Sequence, residues 1–236
     1  LLKTGTNATA EVSARELSLG GTTDLGDGTT ITFDPAILTV GAAEAATFVS
    51  AMNHNNVTVN VTADDQIILN AAIDTSAQVT NSKLNFKDGN ADSNLQVDLN
   101  AYILLGAHQR LIGDATLVNV ASTGLIQNGI DVAKTTGATV NVAAGTFYEN
   151  LIIRKNNLIL IGAKAGVSGL DEARDGGTGE TQIIADGGSP GIFVNSNGVA
   201  IDGVSVRGGK IGIAGKDAND ITVQTALLEA RRLTGN

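Results

Sequence analysis

The stretch "GATVNVAAGTFYENLIIRKNNLILIGA", residues 137 to 163, holds three short runs of aliphatic and β-branched residues with no helix-length segment between them. Strand-like runs of the same kind continue to the C-terminus: "TVNVA" (139 to 143), "LIIR" (151 to 154), "LILIG" (158 to 162), "QIIA" (182 to 185), "GIFV" (191 to 194), "VAIDGVSVR" (199 to 207), "IGIAG" (211 to 215) and "DITVQ" (220 to 224). Their spacing recurs. Gly191-Ile192 returns at Gly212-Ile213, and "VAIDG" at "DITVQ", each about 21 residues on. A repeat of that size cannot bury its own apolar face, so successive repeats have to stack.

The N-terminal half repeats with a longer period of about 25 to 28 residues. There "NVTVNVTADDQIILNAAI" (56 to 73) and "SKLNFKDGNADSNLQVDLNAYILLGAHQRLIG" (82 to 113) both read as strand, polar Asn/Asp turn, strand. Period-two alternation places Val57, Val59, Val61, Ile67, Leu69, Leu84, Phe86, Leu95, Val97 and Leu99 on the inward face. In the C-terminal half the expected interior ladder is Ile152, Ile159, Ile161, Ile183, Val194, Ile201 and Ile213. Aromatics make up only 3% of the 236 residues and Trp is absent. A thick sandwich uses rings to span its interior, whereas stacked aliphatic side chains fill a narrow solenoid. The expected fold is therefore all-β, a single-stranded parallel β-helix (β-solenoid).

Three segments depart from the strand pattern. In "GLIQNGIDVAKTTG" (124 to 137), Leu125, Ile126, Ile130, Val132 and Ala133 fall at helical spacing before a Gly stop, which predicts a short internal helix. "PAILTVGAAEAATFVSAMNHN" (35 to 55) predicts an Ala-rich helix at a corner, and "TALLEARRL" (225 to 233) a C-terminal capping helix with Leu227, Leu228 and Leu233 on one face. The N-terminal "LLKTGTNATAEVSARELSLGG" shows no such helix and can supply a strand. A soft boundary near residue 121 gives two parts, 1 to 120 and 121 to 236.

Charge narrows the partners. The net charge is -9 and the 15 Lys and Arg are scattered, whereas a nucleic-acid surface needs them clustered. Membrane insertion is not expected either, since no run of 18 apolar residues exists. Without Cys there are no disulfides, thiolate zinc sites or thiol nucleophiles. The start has neither Met nor a signal-peptide core, so the chain reads as a mature or excised segment.

Two resemblances sharpen this picture. Residues 124 to 215, with "IQNGIDVA", "GATVNVAAGTFYENLIIRKNNLILIGAKAG", "ETQIIADGG" and "GVAIDGVSVRGG", resemble the right-handed parallel β-helix of pectin-lyase-like proteins. In that pattern a short helix caps the solenoid, "V-x-V-x-x-G-x-[FY]-x-E" opens the first coils, and later coils read "G-x-x-I-x-G". Residues 35 to 113 resemble repeats of large secreted bacterial adhesins of the filamentous-haemagglutinin type. The resemblances imply a secreted, cell-surface or extracellular-matrix protein that acts as a rigid stalk or adhesin. Surface glycans are the expected partners, and the short C-terminal cap with no helix at the N-terminus predicts self-association through solenoid ends or continuation in a longer chain. A self-assembling extracellular filament and a polysaccharide-active lyase or hydrolase are the alternatives.

Pectin-lyase-like enzymes display carboxylates with Arg or Lys on one face. The residues here that could do so are Asp171, Glu172, Arg174, Asp175, Glu180 and Asp186. General acid/base work needs two carboxylates held at fixed separation on rigid strands, yet these sit in the Gly-rich excursion "SGLDEARDGGTGETQIIADGG" (168 to 188), which reads as a solvated loop. Asp202, alone on a strand before Gly203, reads as a turn cap. His54 and His108 lack a second metal ligand two to four residues away and read as surface residues.

For a metal, the candidate is calcium. "DGNADSNLQ" (88 to 96) places Asp88, Asn90, Asp92 and Asn94 at alternate positions. The glycine expected sixth is Ser93, and Leu99 stands where the twelfth-position acid belongs. A plain Asn/Asp turn is the competing reading. "NAT" (7 to 9), "NVT" (56 to 58) and "NVT" (60 to 62) match glycosylation acceptors by pattern.

Overall fold

The structure is a computed structural model that describes residues 9–12, 30–33, 36–90, 92–171, 174, 177 and 179–229. The chain divides into two compact units, Leu1–Val118 with Asp131–Ala133, and Asn119–Ile130 with Lys134–Asn236. Both are built from short strands, and every strand pairing described is parallel, with no closed barrel. The fold is thus all-β, with two helices among the described residues.

The first unit contains β1 (Thr9–Val12), β2 (Thr30–Phe33), β3 (Ile37–Val40), α1 (Ala42–Met52), β4 (Thr58–Ala63), β5 (Gln66–Leu69), β6 (Ile73–Asp74), β7 (Lys83–Asp88), β8 (Gln96–Leu99), β9 (Ile103–Leu104) and β10 (Arg110–Gly113). One sheet runs β1-β2-β4-β7-β10, a second β3-β5-β8, and β6 pairs with β9. The connection between the parallel neighbours β4 and β7 passes through β5 and β6, each of which pairs with its own counterpart one repeat later. Register then follows the sequence period: Val59 faces Leu84 and Val61 faces Phe86, while Ile67 faces Val97 and Leu69 faces Leu99. All ten inward residues expected in this half are buried.

The alternate residues point outward, where like amides meet. Asn85 Nδ2 donates to Asn60 Oδ1 at 2.9 Å and Asn100 Nδ2 to Asn70 Oδ1 at 2.9 Å. In-register stacking thus satisfies side chains that a lone strand would leave to water.

Helix α1 occupies the later part of the Ala-rich segment, after β3. Its N-terminus is held by Glu44, whose carboxylate accepts the Gly41 N–H at 2.9 Å. Ala45, Phe48, Ala51 and Met52 recur at helical spacing and are buried. The Met52 carbonyl at its end accepts from Thr80 Oγ1, Ser82 Oγ and Gln109 Nε2, which ties the two loops of 75–82 and 105–109 to the helix.

Strand β11 (Leu117–Val120) and α2 (Ile126–Val132) lie at the division of the units. The α2 segment is the predicted internal helix. Its first turn is capped from a distance: the Glu149 carboxylate accepts Ile126 N–H at 2.8 Å and Gln127 N–H at 2.9 Å. These are among the N–H groups that a helix start leaves without an intrahelical partner. Gln127 in turn exchanges two bonds with the Ile152 backbone, its Oε1 accepting at 2.8 Å and its Nε2 donating at 3.2 Å. The final Glu of "VNVAAGTFYE" is therefore a helix clamp.

The second unit continues with β12 (Thr139–Val142), β13 (Gly145–Phe147), β14 (Leu151–Ile153), β15 (Ile159–Ile161), β16 (Thr181–Ala185), β17 (Ile192–Val194), β18 (Ala200–Asp202), β19 (Val204–Gly208), β20 (Ile213–Gly215), β21 (Thr222–Gln224) and β22 (Leu227–Glu229). They form three parallel sets, β12-β15-β18-β21, β13-β16-β19-β22 and β14-β17-β20. Ile192 faces Ile213, as the recurrence of Gly-Ile predicts. The other recurrence slips by one: Ala200 faces Thr222, so Val199 rather than Ala200 corresponds to Ile221.

Corners repeat as well. Asn156 Oδ1 accepts Asn197 N–H at 3.0 Å, and Asn197 Oδ1 accepts Asn219 N–H at 2.8 Å. The residue after each asparagine, Asn157, Gly198 or Asp220, has positive φ (51°, 69° and 56°). Asn and Asp tolerate that region better than other side chains.

Two expectations are corrected here. Of the predicted C-terminal ladder, Ile183, Val194 and Ile201 are buried, but Ile152 and Ile161 are only half-buried and Ile159 is 41% exposed. Leu151, Ile153, Leu158 and Leu160 take the interior instead. In "LILIG" every residue is apolar, so no polar neighbour marks the parity, and a shift of one residue turns the strand over. In "LIIR" the exposed Arg154 marks the outer face and so places Ile153 and Leu151 inward. Ile213 is half-buried in the last described strand of its set.

The second correction is the C-terminal helix. Residues Leu227–Glu229 form a strand in register with Ser205–Arg207, because an existing parallel strand offers backbone partners that outweigh a short helical Leu spacing. Residues 230–233 of that segment lie outside those described.

Candidate functional site

The excursion between β15 and β16 carries the acidic candidates except Asp186, which follows β16. Its organising residue is Arg174, whose side chain is fully buried. Arg174 Nε donates to Glu180 Oε1 at 3.0 Å, Nη1 to the Val167 and Thr225 carbonyls, and Nη2 to the Val204 carbonyl at 3.1 Å. One guanidinium thus ties the loop to β19 and to the turn before β22. A planar fork of five donors suits that role.

Of the other candidates, Asp171 and Asp186 are exposed, and Asp186 Oδ1 accepts the Gly188 N–H of its own turn at 3.1 Å. Glu172 and Asp175 lie outside the described residues. Glu180 is buried as the partner of Arg174. Asp202 accepts from the Thr225 hydroxyl and so links β18 to the turn between β21 and β22. Gly203 beside it has φ of +69°, and a Cβ there would stand 2.0 Å from the Ala165 nitrogen. Only glycine lets the excursion's first residues lie against this corner.

The loop after β7 contains the four calcium candidates. Asp88 is buried and accepts the N–H groups of Asn90 at 3.2 Å and Ser93 at 2.9 Å. Asn90 Oδ1 accepts Asp92 N–H, and Asp92 Oδ1 accepts Asn94 N–H, both at 3.1 Å. Each oxygen therefore holds the backbone two to five residues on, a chain of Asx turns. Ser93 takes the left-handed conformation (φ 63°) that the missing glycine would have adopted. Among the described residues no three His, Asp or Glu side chains group as metal ligands.

Close by, Asp114 Oδ1 accepts the Asp88 N–H at 2.8 Å. Burial pushes the Asp114 carboxyl up from its ordinary value, and the Asp88 charge adds to this.

A second place was not singled out by sequence reading. On the outer face of the first unit a groove of about 830 Å³ is lined by Asn55, Asn56, Val79, Asn81, Lys83, His108, Arg110 and Ile112. The β-sheet builds it: Thr58, Lys83 and Arg110 are register partners across β4, β7 and β10. Within the lining Asn56 and Asn81 are bonded to each other, Asn81 Nδ2 donating to Asn56 Oδ1 at 2.9 Å and Asn81 Oδ1 accepting Asn56 N–H at 2.8 Å. The lining contains no carboxylate. The signal in the sequence was the spacing of Lys83 and Arg110, 27 residues apart and so one repeat apart. His108, expected at the surface, is exposed there, whereas His54 is half-buried.

The chain matches no protein-family model, no curated protein and no solved structure.

Proposed function

We propose that each unit is a stretch of parallel β-helix, and that the chain is a non-catalytic segment of a secreted bacterial surface or matrix protein, a rigid stalk or adhesin module. The observation that carries this reading is the rung-on-rung register of both units. Val140, Leu160 and Ile201 are successive register partners, all fully buried, as are Ile183 and Val206 in a neighbouring set. Such a stack extends by adding repeats, and a repeat protein that presents long surfaces suits adhesion or spacing better than turnover. The resemblances to pectin-lyase-like helices in 124 to 215 and to haemagglutinin-type adhesin repeats in 35 to 113 support the same assignment. So do the contacts that occupy the Glu180, Asp186 and Asp202 carboxylates. Incubation with acidic and neutral polysaccharides tests it: the account expects no cleavage, and release of oligosaccharide ends would overturn it in favour of a lyase or hydrolase.

A filament subunit is a second reading with its own support. The apolar ladders of the second unit end on exposed residues, Val223 at 43% and Leu228 at 50%, although their register partners Ile201 and Val206 are fully buried. Such an apolar rung pairs with a next strand, which either a following segment of the same chain or a second copy can supply. Sedimentation velocity at micromolar concentration separates the two readings. Concentration-dependent polymers support the filament, and a concentration-independent monomer supports the single module.

A further inference from the structure

We propose that the groove on β7 and β10 binds an anionic polysaccharide, through carboxylate or sulfate groups held between Lys83 and Arg110. The inference deepens the adhesin reading, on which it rests for the presence of such a polymer at the cell surface.

Lys83 and Arg110 are direct register partners on adjacent parallel strands, and both side chains are on the outer face. Neighbouring strands lie about 4.8 Å apart, so the two cations start from backbone positions close enough to grip one anionic group. Among the described residues neither makes an ion pair. Like charges placed opposite one another destabilise a sheet, and the chain carries 24 acidic residues from which a partner could have been drawn. A charge on a sheet edge can serve to block unwanted pairing, and β10 is the last strand of its sheet. That accounts for Arg110 alone. Lys83 lies on β7, which is paired on both sides by β4 and β10, so edge protection gives it no role.

The rest of the lining fits a sugar polymer. Asn56 and Asn81, bonded to each other, keep the Asn56 Nδ2 donor and second lone pairs on their amide oxygens, which suit sugar hydroxyls, and His108 adds an imidazole. Val79, 78% exposed, and Ile112, 40% exposed, give apolar surface for the faces of sugar rings. Charge complementarity selects the anionic class: two cations that make no ion pair among the described residues, and no carboxylate, line the groove of a chain whose net charge is -9.

The test measures binding of the whole chain to alginate, which carries carboxylates, to dextran sulfate, and to neutral dextran, by titration calorimetry at low salt and at 0.5 M salt. The variant Lys83→Gln with Arg110→Gln keeps the side-chain stems; Lys216→Gln, exposed in the second unit, is the control. The expected result is binding of alginate or dextran sulfate but not dextran, weakened by salt. The double variant should lose at least about tenfold in affinity, the size of one lost charge-assisted hydrogen bond, while Lys216→Gln binds as the parent does.

Unfolding midpoints control for folding, and removal of the like-charge pair should leave the double variant no less stable than the parent. Preference for alginate identifies the carboxylate source, and preference for dextran sulfate the sulfate source. No binding of either, equal binding by the double variant, or tighter binding of poly-glutamate than of both polysaccharides overturns the proposal. Since affinity is read independently of cleavage and of polymerisation, this failure is distinct from failure of the stalk reading.

Discussion

Truncating Leu160 and its neighbour Ile159 separates the inner from the outer face of one strand. Leu160 is fully buried on β15, in register between Val140 and Ile201, which are buried to the same extent. Leu160→Ala removes roughly three methylene equivalents, about 2.4 kcal/mol of transfer free energy at 0.8 kcal/mol each. A cavity term adds to this, because neighbours locked in register cannot collapse into the space, so the loss should fall at about 3 to 4 kcal/mol within the range seen for such substitutions. Ile159, 41% exposed, points the other way. Ile159→Ala should change stability by no more than about 1 kcal/mol, the span of strand propensity. Urea unfolding followed by circular dichroism measures both, with the shift read from the transition of the unit that contains them. Equal losses, or a larger loss at Ile159, would refute the parity assigned to this strand and with it the interior of the second unit.

Three further outcomes follow from the same geometry. Arg174→Met removes the ion pair to Glu180 and the donor to three carbonyls and should cost about 3 to 5 kcal/mol, whereas Arg174→Met with Glu180→Leu should recover only part of that loss in thermal unfolding, because the Val167, Val204 and Thr225 carbonyls still lack the guanidinium. Glu149→Ala removes the acceptor for the first N–H groups of α2 and should cost about 0.5 to 2 kcal/mol, with a local rise in hydrogen exchange at Ile126 and Gln127. Asp114 has a raised folded pKa, so the folded state binds its proton more tightly and stability falls as pH rises from about 4 through that pKa. Asp114→Asn should therefore unfold at a higher temperature than the parent at pH 7, and the difference should vanish near pH 3, where both side chains are neutral.

How far the fold could be read from sequence depended on polar punctuation. In "NVTVNVTA" each valine is flanked by Asn or Thr, and all the valines there are buried as alternation requires. In "LILIG" the outward residues are as apolar as the inward ones, and periodicity alone carries no face. The C-terminal "TALLEARRL" misleads for a different reason. Its Leu spacing is local information, whereas β22 forms because β19 lies ready to pair.

The excursion was legible as a loop but not as a fastened one, since nothing near Arg174 in sequence announces the Val204 and Thr225 carbonyls that it reaches. The groove was hidden by distance along the chain. Lys83 and Arg110 become neighbours only when the repeat length is applied to polar positions as it was to apolar ones.

The most direct test of the central claim uses the absence of native cysteine. Register partners Ile159 and Ala200, and Ala200 and Thr222, are on the outer face of successive strands. Their Cα atoms, about 4.8 Å apart as in any parallel pair, lie inside the window for a disulfide. Ile159→Cys with Ala200→Cys, and Ala200→Cys with Thr222→Cys, should each close within one chain on mild oxidation. Ile159→Cys with Ile201→Cys, one residue out of register and on opposite faces, should not. Closure of the mismatched pair with failure of both register pairs would contradict a rung-on-rung parallel stack.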